Sequence, residues 1–252
     1  MNRIAFITGA TAGIGEACAK KLANVGYDLI ISGRREENLN KLEAELLKNF
    51  NCKIFKLVLD VRKQDDVFDR INKLPEEWKK IDLLVNNAGL AVGVTAIQDG
   101  IIDDWERMID TNVKGLLYIT RAVSPLMIER KQGHIINVTS IAGKEVYPGG
   151  NVYCATKHAV DALTKGMRID MLPHNIKVSS VAPGMVETEF SIVRFKGDTD
   201  KADQVYNGFT PLYADDIADT VEFVASRPAH VNINDILIMP TAQASARDVV
   251  RD

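Results

Sequence analysis

The stretch Thr8-Gly9-Ala10-Thr11-Ala12-Gly13-Ile14-Gly15 follows a short apolar run, residues 4–8, and opens a segment of helical period, residues 13–24. A strand that passes into a helix through three glycines reads as a tight βα turn with a particular use. Gly9 makes the sharp exit from the strand, Gly13 lets backbone approach a pyrophosphate, and Gly15 lets the helix pack close on the sheet. Around them Thr11, Ala12 and Ile14 place the helix start, whose unpaired N–H groups carry a partial positive charge toward phosphate. Glycine is common in any tight turn. Its place at the first βα junction of the chain is what gives this triplet weight.

Outward from that turn, short apolar runs alternate with longer helical stretches. Strands are predicted at residues 28–32, 53–59, 83–86, 134–139, 177–182 and 236–239, with helices at 36–49, 65–73, about 103–130, 153–172 and 214–226. Such βαβα alternation predicts an α/β fold, a doubly wound parallel sheet with helices on both faces. Several strands are continuously apolar, as burial on both faces requires. No linker, repeat or low-complexity tract divides the chain, so residues 1–252 are expected to form a single domain. Residues 185–213 are polar and lack a clear period, and a segment of that length inside a compact domain reads as a substrate loop or lid. The C-terminal tail, residues 242–252, is expected either to make contacts or to fray.

Composition narrows the function. Hydrophobic residues make up 46% and charged residues 26%, ordinary globular values that exclude a disordered chain. Thirty-one Lys and Arg against 34 Asp and Glu leave a net charge of −3, which argues against a non-specific nucleic-acid binder. The three cysteines, Cys18, Cys52 and Cys154, are far apart and form no CxxC, so neither a disulfide framework nor a zinc site follows. The first apolar run is too short for a signal-peptide core, and no run reaches the roughly 18 apolar residues of a membrane span. A cytoplasmic location is the expectation.

Two further sites refine the reading. An NAD site usually ends its second strand on an acidic residue that holds the ribose hydroxyls. Here that place reads Ser32-Gly33-Arg34-Arg35. Paired guanidiniums at Arg34 and Arg35 suit a 2′-phosphate, so NADP is the expected coenzyme. Farther on, Tyr153 and Lys157 are four residues apart in a helical stretch and share one face. A neighbouring ammonium favours phenolate and brings a tyrosine toward neutral titration. Ser140 lies at the carboxyl end of a strand, where open sheets bind ligands, and its hydroxyl can orient a substrate oxygen. Removing a hydride from a carbinol carbon needs such a base and such a donor beside a nicotinamide face.

Taken together these residues identify a resemblance to the short-chain dehydrogenase/reductase family over essentially the whole chain. The matching motifs occur in order: TGxxxGxG at Thr8–Gly15, NNAG at Asn86-Asn87-Ala88-Gly89, Ser140 with Tyr153 and Lys157, and Pro183-Gly184. The resemblance implies a Rossmann fold of seven strands and hydride transfer at nicotinamide. It implies that Tyr153 is the catalytic acid/base, that Ser140 orients the substrate, and that Lys157 binds ribose and tunes Tyr153. Asn112 matches the fourth catalytic position, which places a proton-relay water. Asp60, Val61 and Asn87 match positions at adenine and ribose, and Pro183, Gly184, Val186 and Thr188 match the loop beside nicotinamide. A homotetramer is also implied, with residues 153–172 and the tail as contacts.

The segments Gly150-Asn151-Val152-Tyr153, Val193-Arg194-Phe195-Lys196-Gly197-Asp198 and His230-Val231-Asn232-Ile233-Asn234, with Met239-Pro240-Thr241, are similar to NADP-dependent 3-hydroxy acid dehydrogenases. That resemblance implies oxidation of serine, L-allo-threonine or 3-hydroxypropionate at C3, or reduction of a semialdehyde such as malonic semialdehyde. The substrate carboxylate needs a cation, and Arg194, then Lys196, are the candidates, Arg194 first for its bidentate geometry. A 3-oxoacyl carrier-protein reductase, a polyol dehydrogenase and a non-catalytic dinucleotide sensor are the alternatives. His134, His158, His174 and His230 are scattered without ligand spacing, so no metal is expected.

Overall fold

A computed structural model describes residues 2–252. In chain order the main elements are β1 (Arg3–Thr8), α1 (Gly13–Asn24), β2 (Tyr27–Gly33), α2 (Glu36–Asn49), β3 (Ile54–Val58), α3 (Gln64–Asn72) and β4 (Ile81–Asn86). There follow α4 (Ile102–Ile109), α5 (Leu116–Arg130), β5 (Gly133–Val138), α6 (Asn151–Met171) and β6 (Ile176–Pro183). The chain closes with β7 (Val186–Glu187), α7 (Phe190–Arg194), α8 (Thr199–Gln204), β8 (Leu212–Tyr213), α9 (Ala214–Ala225) and β9 (Asp235–Ile238).

Seven strands form one parallel sheet in the order β3-β2-β1-β4-β5-β6-β9, the Rossmann-type arrangement. The order reverses between β1 and β4, which opens a crevice at their carboxyl ends. Strand residues alternate between two cores. Ala5 and Ile7 of β1 pack with Leu22 of α1, Leu39 of α2 and Val221 of α9. Ile4 and Phe6 face the opposite way, toward Val67 of α3, Val123 of α5 and Val160 of α6. Both faces are apolar because both are covered, the physical reason the strands read as continuous apolar runs.

Two features differ from the periodicity reading, and a third decides an alternative it left open. The predicted helix at 103–130 is two helices joined by a π-helical stretch, Asp110–Gly115, and Asn112 sits inside it. Wider turns of this kind cluster at functional sites. Residues 185–213 hold two short helices and a two-stranded parallel ribbon, β7 with β8, rather than unstructured loop. The tail does not fray. Gln243 Oε1 accepts from Met185 N at 2.9 Å, and Arg251 Nη2 donates to Val205 O at 3.0 Å, tying it to the same segment.

Candidate active site

A cleft of about 350 Å³ opens at the carboxyl ends of the central strands. It is lined by Gly9, Thr11, Ala12, Gly13 and Ile14 from the first turn, Arg34 and Arg35 from the second, and Asp60, Val61 and Asn87 from the ends of β3 and β4. Ser140, Tyr153, Lys157, Pro183, Gly184, Val186 and Thr188 complete it. Residues from five parts of the sequence thus converge on one space.

The glycine turn explains itself sterically. Gly9 has φ +69° and Gly13 φ +55°, a left-handed conformation that side chains rarely adopt. Gly15 does not line the cleft. A Cβ there would stand 2.5 Å from Asn87 Nδ2 and nearer still to Gly9 O, so the helix can approach the turn only with no side chain. Asn87 is the matching clamp: its Nδ2 donates to Thr8 O at 3.0 Å and Gly9 O at 3.2 Å, binding the end of β4 to the turn.

At the other mouth, Arg35 is the residue immediately before α2 and Glu36 and Glu37 fill its first turn, so acids offset the cations there. Arg35 donates to Thr11 Oγ1 through Nε at 3.3 Å and to Glu189 Oε2 through Nη1 at 2.8 Å. Arg34 is exposed and has no acidic partner within ion-pair distance among the described residues. Asp60 is engaged by Arg62, whose Nη2 lies 2.6 Å from Oδ2. Burial disfavours the Asp60 carboxylate, but hydrogen bonds from Arg62, with Arg34 nearby, hold its carboxyl below the usual range. A cradle of left-handed glycines at one end and an unneutralised guanidinium at the other fits a dinucleotide carrying an extra phosphate.

At the inner end Ser140 lies two residues past β5, where its Oγ accepts from Ala142 N at 3.1 Å and donates to Pro183 O at 3.4 Å. Tyr153 and Lys157 are consecutive on one face of α6, both buried. Lys157 Nζ donates to Val138 O at 3.0 Å, and burial brings its pKa down to about 8. Burial also pushes the Tyr153 phenol up. Against that, the charge of Arg194 and the neighbouring Ser140 hydroxyl pull it down. Two cations stand by the ring: Arg194 Cζ lies 5.2 Å and Lys157 Nζ 6.0 Å from the Tyr153 ring centre.

Arg194 reaches this place because α7 folds back over the cleft. Its carbonyl accepts from Gly93 N at 2.9 Å, its Nη2 donates to Tyr147 Oη at 3.0 Å, and its Cζ sits 5.1 Å from the Phe190 ring. Among the described residues it has no acidic partner. Lys196 does not share that role, because its Nζ pairs with the buried Asp104 at 2.7 Å. Asn112 stands behind the cleft. Its Oδ1 accepts from Leu90 N and its Nδ2 donates to Leu90 O, both at 2.8 Å, with Thr156 Oγ1 at 3.0 Å. Both side-chain N–H groups are thus occupied in holding the loop after β4 against α6.

Sequence reasoning did not find Tyr147, Phe190 or Glu189. Phe190 packs on Tyr153 with ring centres 5.7 Å apart. None of the three has a local pattern to announce it. Gly33 was also missed, although its place beside the two arginines is a signal: a Cβ there would meet Thr11 Cγ2 at 2.5 Å.

Comparison with known proteins agrees with this arrangement. Residues 3–198 match the family model for short chain dehydrogenase. An NADP-dependent 3-hydroxy acid dehydrogenase YdfG of Salmonella typhi is 47% identical over 244 residues, covering 96% of this chain and 97% of its own. Sulfoacetaldehyde reductase 2 of Chromohalobacter salexigens is 46% identical over 254 residues, covering all of both chains. The closed form of a serine dehydrogenase complexed with NADP+ superposes with a TM-score of 0.92 at 45% identity, covering 99% of each chain. The glycine turn, the Ser140–Tyr153–Lys157 group and these matches lead to one conclusion: the chain belongs to the short chain dehydrogenase family.

Proposed function

We propose that the protein is an NADP-dependent dehydrogenase of small alcohols bearing an anion on the carbon next to the carbinol carbon, the 3-hydroxy acids foremost. The observation that carries this reading is the Arg194 guanidinium, set over the Tyr153 ring with no acidic partner among the described residues. A substrate whose hydroxyl meets Tyr153 and Ser140 extends its anion toward that cation. The 3-hydroxy acid and serine dehydrogenase relatives support a carboxylate there. The sulfoacetaldehyde reductase relative supports a second reading, since its named substrate carries a sulfonate at the same distance from the carbonyl. One guanidinium serves either group.

Gly9, Gly13, Arg34, Arg35 and the Pro183–Thr188 segment would hold NADP, which when bound supplies the hydride acceptor or donor. Tyr153 takes the hydroxyl proton in oxidation and returns it in reduction, while Ser140 hydrogen-bonds the same oxygen. Lys157, buried with a carbonyl as its one hydrogen-bond partner among the described residues, keeps two N–H groups for ribose and for the phenol. Asn112 positions the Leu90 loop and presents its backbone to a relay water. The whole chain, residues 1–252, acts as one domain, with 185–213 as the substrate loop.

We further infer a cytoplasmic homotetramer. Among the described residues no helix is long and apolar enough to cross a membrane. Ala155, Ala162 and Ile169 are exposed along one stripe of α6, and small residues there allow close approach of a second copy. The test of function is initial rates with NADP+ and NAD+ on L-serine, D-serine, L-allo-threonine, 3-hydroxypropionate, 2-hydroxyethanesulfonate and 1-propanol. Faster turnover of the anionic alcohols with NADP+ is expected. Equal turnover of 1-propanol would overturn the substrate class, and no turnover at all would leave a dinucleotide sensor.

A further inference from the structure

At the opposite, amino end of the sheet lies a second cavity of about 220 Å³. It is lined by the first residues of several strands, among them Arg3, Asp82, His134 and Lys177, and by Arg227 just beyond α9. The register places His134 directly beside Lys177. We propose that this cavity binds a small phosphate oxyanion, either free or as the end of a phosphomonoester.

Charge is the first argument. Arg3, Lys177 and Arg227 have no acidic partner within ion-pair distance among the described residues. The one acid on the wall, Asp82, is already engaged: Oδ1 accepts from Arg130 Nη2 at 2.6 Å and Gln132 Nε2 at 3.1 Å, and Oδ2 accepts from Ile4 N at 2.9 Å. Three cationic residues without an acidic partner among the described residues therefore line one space.

Capping of helix α9 does not account for them. Lys177 Nζ donates to Arg227 O at 3.2 Å and Val231 O at 3.3 Å, which uses two of its three protons. Arg227 donates through Nε to Phe223 O at 2.9 Å and through Nη2 to Ser226 Oγ at 2.8 Å, leaving Nη1 free. The Arg3 guanidinium lies over the Tyr27 ring at 4.4 Å and makes no hydrogen bond among the described residues. Burial and the neighbouring Arg227 lower the Lys177 pKa, the direction an anion would reverse.

His134 supplies an independent argument. It is 5% exposed, and its Nδ1 is buried with no partner among the described residues. Its Nε2 lies 2.8 Å from Ser179 Oγ, and that fully buried hydroxyl has no other partner among the described residues. Whichever of the two donates, one donor of the pair, Nδ1–H or the hydroxyl, is left without an acceptor. Burial, with Lys177 alongside, keeps the ring neutral, its pKa pushed down to about 3. The outcome is a buried histidine with an unmet polar atom in the same wall as three cations with unused donors. A tetrahedral oxyanion supplies acceptors to those cations, and such unmet donors are costly otherwise.

The test uses the full chain saturated with NADP+, so that the coenzyme cleft is closed to phosphate. Inorganic phosphate and glycerol phosphate are each compared with chloride at matched ionic strength. Thermal midpoints are expected to rise by about 3–6 °C at ten times the dissociation constant. The His134 Nδ1 signal in a long-range proton–nitrogen spectrum should move with the same midpoint. Both responses should be lost in Lys177→Met and, as a milder surface change, in Arg227→Gln. A response to inorganic phosphate alone identifies the free ion, and one to the ester as well identifies a headgroup site. No shift of the His134 signal with either, or a shift that survives both substitutions, overturns the proposal.

Discussion

Replacing Arg194 with Met separates two effects that the structure joins in one side chain. The guanidinium stands over Tyr153 without an acidic partner among the described residues, and its removal takes away the cation available to a substrate anion. A charge-assisted hydrogen bond contributes roughly 1.5–3 kcal/mol, and the half-buried position of Arg194 argues for the lower part of that range. The corresponding loss in kcat/KM for 3-hydroxypropionate is about 10- to 50-fold, expressed chiefly in KM. 1-Propanol has no anion and loses none of this. The second effect falls on both alcohols. Arg194 is the strongest influence pulling the Tyr153 phenol down against its burial, so the variant phenol titrates higher. Oxidation needs the phenolate, so its rising limb should move to higher pH. Reduction needs the phenol, so its falling limb should also move up and activity should persist further into alkali. The assay is the pH profile of kcat/KM for both alcohols with NADP+. An equal loss on the two substrates, with the limb unmoved, would refute the placement of Arg194.

Tyr153→Phe should lower kcat by about 100- to 10,000-fold while NADPH binding, followed by fluorescence, stays within about twofold; a variant as fast as the parent would remove the acid/base assignment. Arg34→Ala with Arg35→Ala should weaken NADPH by roughly 10- to 100-fold and leave NADH nearly unchanged, as calorimetry can measure. Equal losses would mean the arginines do not face the 2′-phosphate. Gly15→Ala forces a Cβ onto Gly9 O and Asn87, an overpacking that costs about 1–3 kcal/mol. Its thermal midpoint should fall by several degrees and its coenzyme affinity with it, whereas Gly166→Ala, which meets nothing within 4 Å, should leave NADPH affinity unchanged.

Much of the site is readable along the chain because the interactions that make it are local. The turn at Thr8–Gly15 announces itself through backbone geometry: left-handed φ at Gly9 and Gly13 excludes most side chains whatever surrounds them. The Tyr153–Lys157 pair follows from helical period alone. The arginine pair before α2 is legible for a similar reason, since it stands where a strand end meets a helix start. The π-helical stretch was not legible. Asp110–Gly115 is rich in weak helix formers, which mark an irregularity but not its kind, and its width goes with the clamp Asn112 makes on Leu90, a contact across the fold.

The partners of charged groups were decided only in three dimensions. Arg194 and Lys196 are near neighbours with the same charge, and sequence ranks them only by side-chain geometry. Folding gives one to the buried Asp104 and leaves the other over Tyr153. The same holds for Tyr147, Phe190 and the cations around His134, which come from separate strands and loops. A motif survives in sequence when backbone within one turn or one helical repeat sets its geometry. A charge acquires its role from whichever loop crosses over it, and that is settled by the packing of the whole chain.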